Sequence, residues 1–164
     1  MEYRYEFINL SNDLDDLNNL VSKAFSSTSD SSIKEWFSFS EMAQMIVKKR
    51  GICIKAIDNE NNLIGMIYAQ QESPINNIEG VEKWVIIMSA VSPEASGKGI
   101  GSGLLKAIEN SAKEKQAKKM FVFTNLDDER VINFYKKNNY KDAGWIKDYQ
   151  YGKGNSAVFL LKYL

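Results

Sequence analysis

The sequence predicts an α/β domain: a mixed, mostly antiparallel central sheet of about seven strands flanked by about four helices, in the order β-α-α-β-β-β-α-β-α-β-β. Three observations carry this expectation. Short β-rich runs alternate with amphipathic helical stripes along the chain. With 164 residues, 44% of them hydrophobic and only two prolines, the chain has the size and content to bury about 70% of its unfolded surface. No repeat, low-complexity tract or linker interrupts it, so residues 1–164 are expected to form a single domain.

Tyr3 to Ile8 alternates apolar with polar residues, as a half-buried strand does. Ser11, Asn12 and Asp13 supply capping side chains, and Leu14, Leu17, Leu20, Val21 and Phe25 share the face of a first helix. After a serine-rich break over Ser26–Ser32, Ile33, Trp36, Phe37, Met42, Met45 and Ile46 mark a second helix. It is expected to stop at Lys48-Lys49-Arg50-Gly51, where cations suit the helix end and glycine the exit. Ile52–Ile57 and Leu63–Tyr68 then form a hairpin around the turn-forming run Asp58–Asn62. Gln71–Gly80, with Pro74, reads as a polar loop. Trp84–Val91 is nearly all apolar, hence a strand covered on both faces.

Ser92-Pro93 ends that strand, and a glycine-rich loop leads into a helix carrying Ile100, Leu104, Leu105 and Ile108 on one stripe. Met120–Phe123 reads as a short strand. Asp127, Asp128 and Glu129 sit on the first turn of another helix, followed by Val131, Ile132, Phe134 and Tyr135. Strands from Tyr140 onward and over Ala157–Tyr163 close the chain.

Twenty-one basic residues balance twenty-one acidic ones, so no overall field draws nucleic acid or an acidic membrane, and neither is expected as a partner. There is no histidine, which removes histidine bases and metal ligands, and Cys53 is the only cysteine, so no disulfide or Cys-x-x-Cys site can form within the chain. No metal is expected. No apolar run reaches the ~18–20 residues of a membrane span, and Met1–Glu6 lacks the pattern of a signal peptide. The expectation is a soluble, cytoplasmic protein.

The informative segment is Ser96-Gly97-Lys98-Gly99-Ile100-Gly101-Ser102-Gly103-Leu104, between a buried strand and an amphipathic helix. Glycines there let the backbone take positive φ and turn successive N–H groups toward one point. The helix adds its own unpaired N–H groups and the positive end of its dipole. Together these make a phosphate socket; the alternative is a loop whose glycines only permit a tight turn. A Walker loop is excluded because no Lys-Ser or Lys-Thr follows the glycines. A dinucleotide fingerprint fails too, since its third glycine would fall on Ser102 or Leu104.

Ala90-Val91-Ser92-Pro93-Glu94, continuing through Gly97-Lys98-Gly99-Ile100-Gly101, resembles the acyl-CoA-binding motif of the GNAT N-acetyltransferase superfamily: Val-x-Pro, then Arg/Gln-x-x-Gly-x-Gly/Ala. Phe134-Tyr135-Lys136-Lys137-Asn138-Asn139-Tyr140 resembles that family's Phe-Tyr-x-x-x-Gly-Phe segment, and Val158–Lys162 its last strand. The resemblance covers essentially the whole chain. Three departures stand out. Ser96 replaces the usual arginine or glutamine. Asp128 stands where many members have a pantetheine-contacting asparagine. Asn138 replaces a glycine, and asparagine tolerates the left-handed conformation expected there.

The resemblance implies a GNAT-type fold and an acetyl-CoA-dependent N-acetyltransferase, with acetyl-CoA as cosubstrate and direct attack by a primary amine in a ternary complex. It places the pyrophosphate on Gly97, Lys98, Gly99, Ile100, Gly101 and Ser102. The pantetheine arm would lie along Ser89, Ala90 and Val91, where a backbone N–H would polarise the thioester carbonyl, and near Asp128. Tyr135 matches the proton donor to the leaving thiolate; read without the family it is a core residue beside Phe134. A phenol near ~10 facing a thiol near ~8.5 is uphill by about 2 kcal/mol, which a helix dipole or hydrogen bond could offset. No carboxylate lies in Trp84–Met88, so the base is Glu82 or Glu79, directly or through water, or a water chain on backbone carbonyls.

Trp36, Trp84, Trp145, Tyr149 and Tyr151 are either acceptor-pocket walls or packing. The lysines from Lys113 to Lys119 are a solvated face or a contact for the 3′-phosphate. The acceptor is a small-molecule or peptide amine: polyamine, aminoglycoside, amino acid, peptide N-terminus and lysine side chain all fit. The protein is expected as a monomer or homodimer. A catalytically silent CoA-binding or regulatory domain and a protein-interaction module with a decayed loop are the alternatives.

Overall fold

Strands β1 (Arg4–Phe7), β2 (Gly51–Ile57), β3 (Leu63–Gln71), β4 (Lys83–Val91), β5 (Lys119–Asn125), β6 (Lys141–Ile146) and β7 (Ala157–Tyr163) form one mixed sheet in the order β1-β2-β3-β4-β5-β7-β6. The connecting helices are α1 (Leu14–Ala24), α2 (Phe39–Val47), α3 (Ile78–Glu82), α4 (Ile100–Glu114) and α5 (Glu129–Lys137), with a 3-10 turn at Pro93–Ala95. The computed structural model describes residues 3–26, 37–73, 78–150 and 154–164, with backbone alone at 78 and 79. The chain groups into two compact units, Met1–Gln70 with Ile87–Ala112 and Gln71–Ile86 with Lys113–Leu164.

In the first unit β1 runs antiparallel to β2, and β2 and β3 make the expected hairpin, from Gly51↔Gln70 to Ile57↔Leu63. The Asp58 carboxylate closes its turn by accepting the N–H groups of Glu60 and Asn62, both at 2.9 Å, while Asn61 takes positive φ. Side chains alternate between the faces of each strand. Cys53, Met66, Tyr68, Met88 and Ala90 therefore meet Leu17, Leu20 and Val21 of α1 and Met42 of α2 in one core. On the opposite face, Gly65 lies against Ile100 and Leu104 of α4. The expected α4 stripe is buried, and each such aliphatic side chain contributes about 1.5–3 kcal/mol through burial.

Three local expectations shift here. Asp13 is the N-cap residue of α1 but makes no capping bond with its side chain. Its carboxylate instead accepts the Asn9 N–H at 2.6 Å and pairs with Lys55 Nζ at 2.9 Å, because a half-buried lysine on β2 needs a counter-charge. Helix α2 starts at Phe39, after Phe37, since Ser38 Oγ accepts the Glu41 N–H at 3.3 Å and caps the helix there. Ile33 and Trp36 lie outside the described residues. Its exit uses Lys49, at φ 60°, as the left-handed residue, whereas Gly51 opens β2 in a space where a Cβ would come within 3.1 Å of Tyr68.

In the second unit β4 pairs with β5 in parallel from Lys83↔Lys119 to Val85↔Phe121. Strand β5 then pairs antiparallel with β7 along its whole length, and β7 with β6, so the last strand inserts between β5 and β6. The polar loop expected over Gln71–Gly80 is shorter than its sequence suggests: β3 runs to Gln71, and α3 precedes β4. The Glu72 N–H continues the pairing to the Lys83 carbonyl at 3.0 Å, and the Trp84 indole N–H donates to the Val81 carbonyl at the end of α3. Pro74 lies outside the described residues. At the end of α5 the left-handed residue is Asn139, at φ 70°, rather than Asn138, whose side-chain amide donates to the Phe134 carbonyl at 2.8 Å.

Candidate functional site: the glycine loop and the tyrosine helix

The loop after β4 is built from its ends inward. The Ser92 N–H donates to the Ile64 carbonyl at 2.9 Å, tying the loop's start to β3. Pro93 favours the 3-10 turn, which the Ala95 N–H closes on the Ser92 carbonyl. Gly97 and Gly99 then take φ of 77° and 81°, a region that L side chains enter only at a cost. A Cβ at either position would meet no atom within 4 Å, so these glycines answer to backbone conformation and an open outer surface.

Helix α4 opens with the bond from the Gly103 N–H to the Gly99 carbonyl at 3.0 Å. Helix geometry therefore leaves the amides of Ile100, Gly101 and Ser102 without intrahelical acceptors, at the positive end of the dipole. No acidic residue stands in that first turn. Ser96, Gly97, Lys98, Gly99 and Ser102 are exposed, and Lys98 Nζ folds back to the Glu94 carbonyl at 2.9 Å. Ile100 is buried, its side chain set on the apolar stripe of α4. The arrangement can bind an anionic group through backbone N–H donors. Ser89, Ala90 and Val91 lie in the same unit, on the half of β4 beyond its three-pair ladder with β5.

Tyr135, Asp128 and Glu82 belong to the other unit. Tyr135 is 3% exposed, and its ring meets those of Phe134 and Tyr140 edge-on at 5.0 and 5.3 Å. Burial pushes its phenol above the ordinary value. It sits near the C-terminal end of α5, where the dipole is negative, so the helix does not supply the offset expected of it. Asp128 is the N-cap of α5, with Oδ1 accepting the Val131 N–H at 3.1 Å. Glu82 ends α3, half-buried, and its carbonyl accepts the Lys118 N–H at 2.9 Å.

Of the aromatic candidates, Trp84 is fully buried and belongs to the core. Trp145 is 60% exposed, and Tyr149 lies across Phe123 and Phe159 with centroids 5.2 and 5.0 Å away. Phe123 and Phe159 carry no local signal in the sequence, for they meet through β5–β7 pairing. Trp36 and Tyr151 lie outside the described residues. Among the described residues no cluster of three His, Cys, Asp or Glu could hold a metal, and no helix is long and apolar enough to cross a membrane.

A family model described as the acetyltransferase (GNAT) family matches residues 14–140, which include β4, the glycine loop, α4 and α5. The chain belongs to this family. It is a transferase of the acetyltransferase class, with the family's α/β fold. Solved structures agree on the fold. A candidate GNAT-family acetyltransferase from Desulfovibrio desulfuricans superposes with a TM-score of 0.81 at 14% identity, covering 99% of both chains. An N-acetyltransferase from Staphylococcus aureus gives 0.78 at 19% identity, again over 99% of both. A GNAT-family acetyltransferase from Elizabethkingia anophelis, solved with acetyl-CoA bound, gives 0.72 at 18% identity over 99% of this chain and 98% of that one. A comparison with curated proteins gives no match.

Proposed function

We propose that the protein transfers the acetyl group of acetyl-CoA to a primary amine by direct attack in a ternary complex. The observation that carries this reading is the loop in which Gly97 and Gly99 take positive φ and open outward before the unpaired amides of Ile100, Gly101 and Ser102. Those amides, with Lys98, hold the pyrophosphate, and the edge of Ser89–Val91 takes the pantetheine arm and polarises the thioester carbonyl. Asp128 lies along the same arm.

The amine must arrive neutral, and a lysine-like amine is neutral in about one molecule in ~2,500 at pH 7. Glu82, directly or through water, takes the proton that the amine loses. The nitrogen lone pair forms the new C–N bond, the C–S bond breaks, and the Tyr135 hydroxyl gives its proton to the departing sulfur. Its raised pKa keeps Tyr135 protonated at neutral pH, as a general acid must be, while making the transfer to sulfur steeper.

Thiol release from acetyl-CoA, measured against a panel of polyamines, aminoglycosides, amino acids and peptides, tests the proposal. Turnover with at least one amine, rising with pH as the amine becomes neutral, is expected. CoA at ~100 times its dissociation constant should stabilise the fold by about 2.7 kcal/mol. A CoA-dependent shift in melting temperature without thiol release across the panel would favour a silent CoA-binding domain. No shift at millimolar CoA would remove both readings.

A further inference from the structure

Gly97 and Gly99 serve the turn, but Gly103 does not: it lies inside α4, where glycine ordinarily weakens a helix relative to alanine. The reason lies on β1. A Cβ at residue 103 would run into the hydroxyl and Cζ of Tyr5. Tyr5 stands opposite Ala56 on β2, and Ala56 opposite Gly65 on β3, so the three share one face of the sheet. On that face a Cβ at Gly65 would come within 3.0 Å of Leu104 Cδ1 and 3.2 Å of Ile100 Cγ2. Small residues at 56 and 65 thus let the first turn of α4 settle onto the strands, and the Tyr5 ring braces that turn from the sheet's edge. All of these residues belong to the first unit.

We infer that Tyr5 and Gly103 are positioning residues for acetyl-CoA: the Tyr5 ring, lodged where Gly103 lacks a side chain, sets how the first turn of α4 lies on the sheet and so where the amides of Ile100, Gly101 and Ser102 point. This rests on the acetyl-CoA reading above. An amide cradle tolerates little displacement, since hydrogen bonds weaken steeply as their angles close. Neither residue touches the reacting atoms, so the effect falls on cosubstrate affinity and leaves the chemical step alone.

The test compares Gly103→Ala, Tyr5→Phe, Tyr5→Ser and the double variant Tyr5→Ser/Gly103→Ala, reading CoA dissociation constants and, with a working amine, KM and kcat. Gly103→Ala is expected to raise the CoA dissociation constant and the acetyl-CoA KM about tenfold, with kcat within about twofold. Tyr5→Phe, which keeps the ring, should bind as wild type. The double variant, relieved of the collision, should bind more tightly than Gly103→Ala, a non-additivity that a general loss of stability does not produce. If Gly103→Ala does not fold, Tyr5→Ser, which cannot collide, should still raise KM about threefold by leaving the turn unbraced. Wild-type affinity in both Gly103→Ala and Tyr5→Ser, or equal losses in the single and double alanine variants, overturns this inference alone. A wild-type protein that binds no CoA overturns the acetyl-CoA reading and this inference with it.

Discussion

Tyr135 carries both a packing and a catalytic argument, and the two separate on one atom. Its ring is held by Phe134 and Tyr140, so Tyr135→Phe keeps the packing and removes only the hydroxyl. Loss of general acid catalysis should lower kcat ~10²-fold with CoA affinity and melting temperature nearly unchanged; wild-type turnover would assign Tyr135 to the core. Asp128 separates in the opposite direction. Because its carboxylate caps α5, Asp128→Ala should cost about 1 kcal/mol, whereas Asp128→Asn keeps a capping oxygen and should hold the melting temperature. If residue 128 also meets the pantetheine arm, Asp128→Asn binds acetyl-CoA at least as tightly as wild type while Asp128→Ala binds it more weakly. The acidic start of α5 was legible in Asp127-Asp128-Glu129, but which acid caps it depends on backbone angles that composition does not specify.

At the scale of elements, the glycine loop and α4 were the most legible part of the chain. Glycine spacing and a helical stripe are local signals, and the structure keeps both. Gly97→Ala should cost about 1–2 kcal/mol through its left-handed backbone, with no protein atom to clash against. That corresponds to a melting temperature lower by roughly 2–8 °C for a chain of this size. Gly99→Val adds branching to the same strain and fills the open side of the loop, so CoA binding should be lost while cooperative unfolding persists. Titration calorimetry and a thermal melt on each variant check both. Boundaries were less legible. The capping pair Ser38 and Glu41, which sets where α2 begins, was present in the sequence but outweighed by the apolar stripe that continues through Phe37.

At the scale of the whole molecule, buried Cys53, Tyr68 and Tyr135 contribute to the alkaline limit. Burial raises Cys53 above its ordinary 9.0, and Tyr68 and Tyr135 above their ordinary 10.0. The native state then holds protons that the unfolded chain releases. Their contribution is intact below about pH 9 and declines as pH rises from there toward the raised native values. Each group acts with a slope of up to about 1.4 kcal/mol per pH unit. Denaturant midpoints should be flat from pH 7 to 8.5 and fall steeply above pH 10, and Tyr135→Phe should fall less steeply than wild type there. Equal slopes for the two would mean that Tyr135 ionises in the native state as readily as in the unfolded one.

The sequence by itself determined the α/β class, the strand and helix order apart from α3, the hairpin turn at Asp58–Asn62 and the glycine loop, because each depends on residues within about one turn or one strand of each other. Tertiary structure decided what joins distant segments. It placed β7 between β5 and β6, drew the Asp13 carboxylate from its helix to Lys55, paired β4 with β5 over Lys83–Val85, and set Tyr5 over Gly103. The sequence marks Gly103 only as one more glycine in an alternating run. Its distinct role arises because strand pairing carries Tyr5, from far earlier in the chain, to a point on the helix where a side chain has no room.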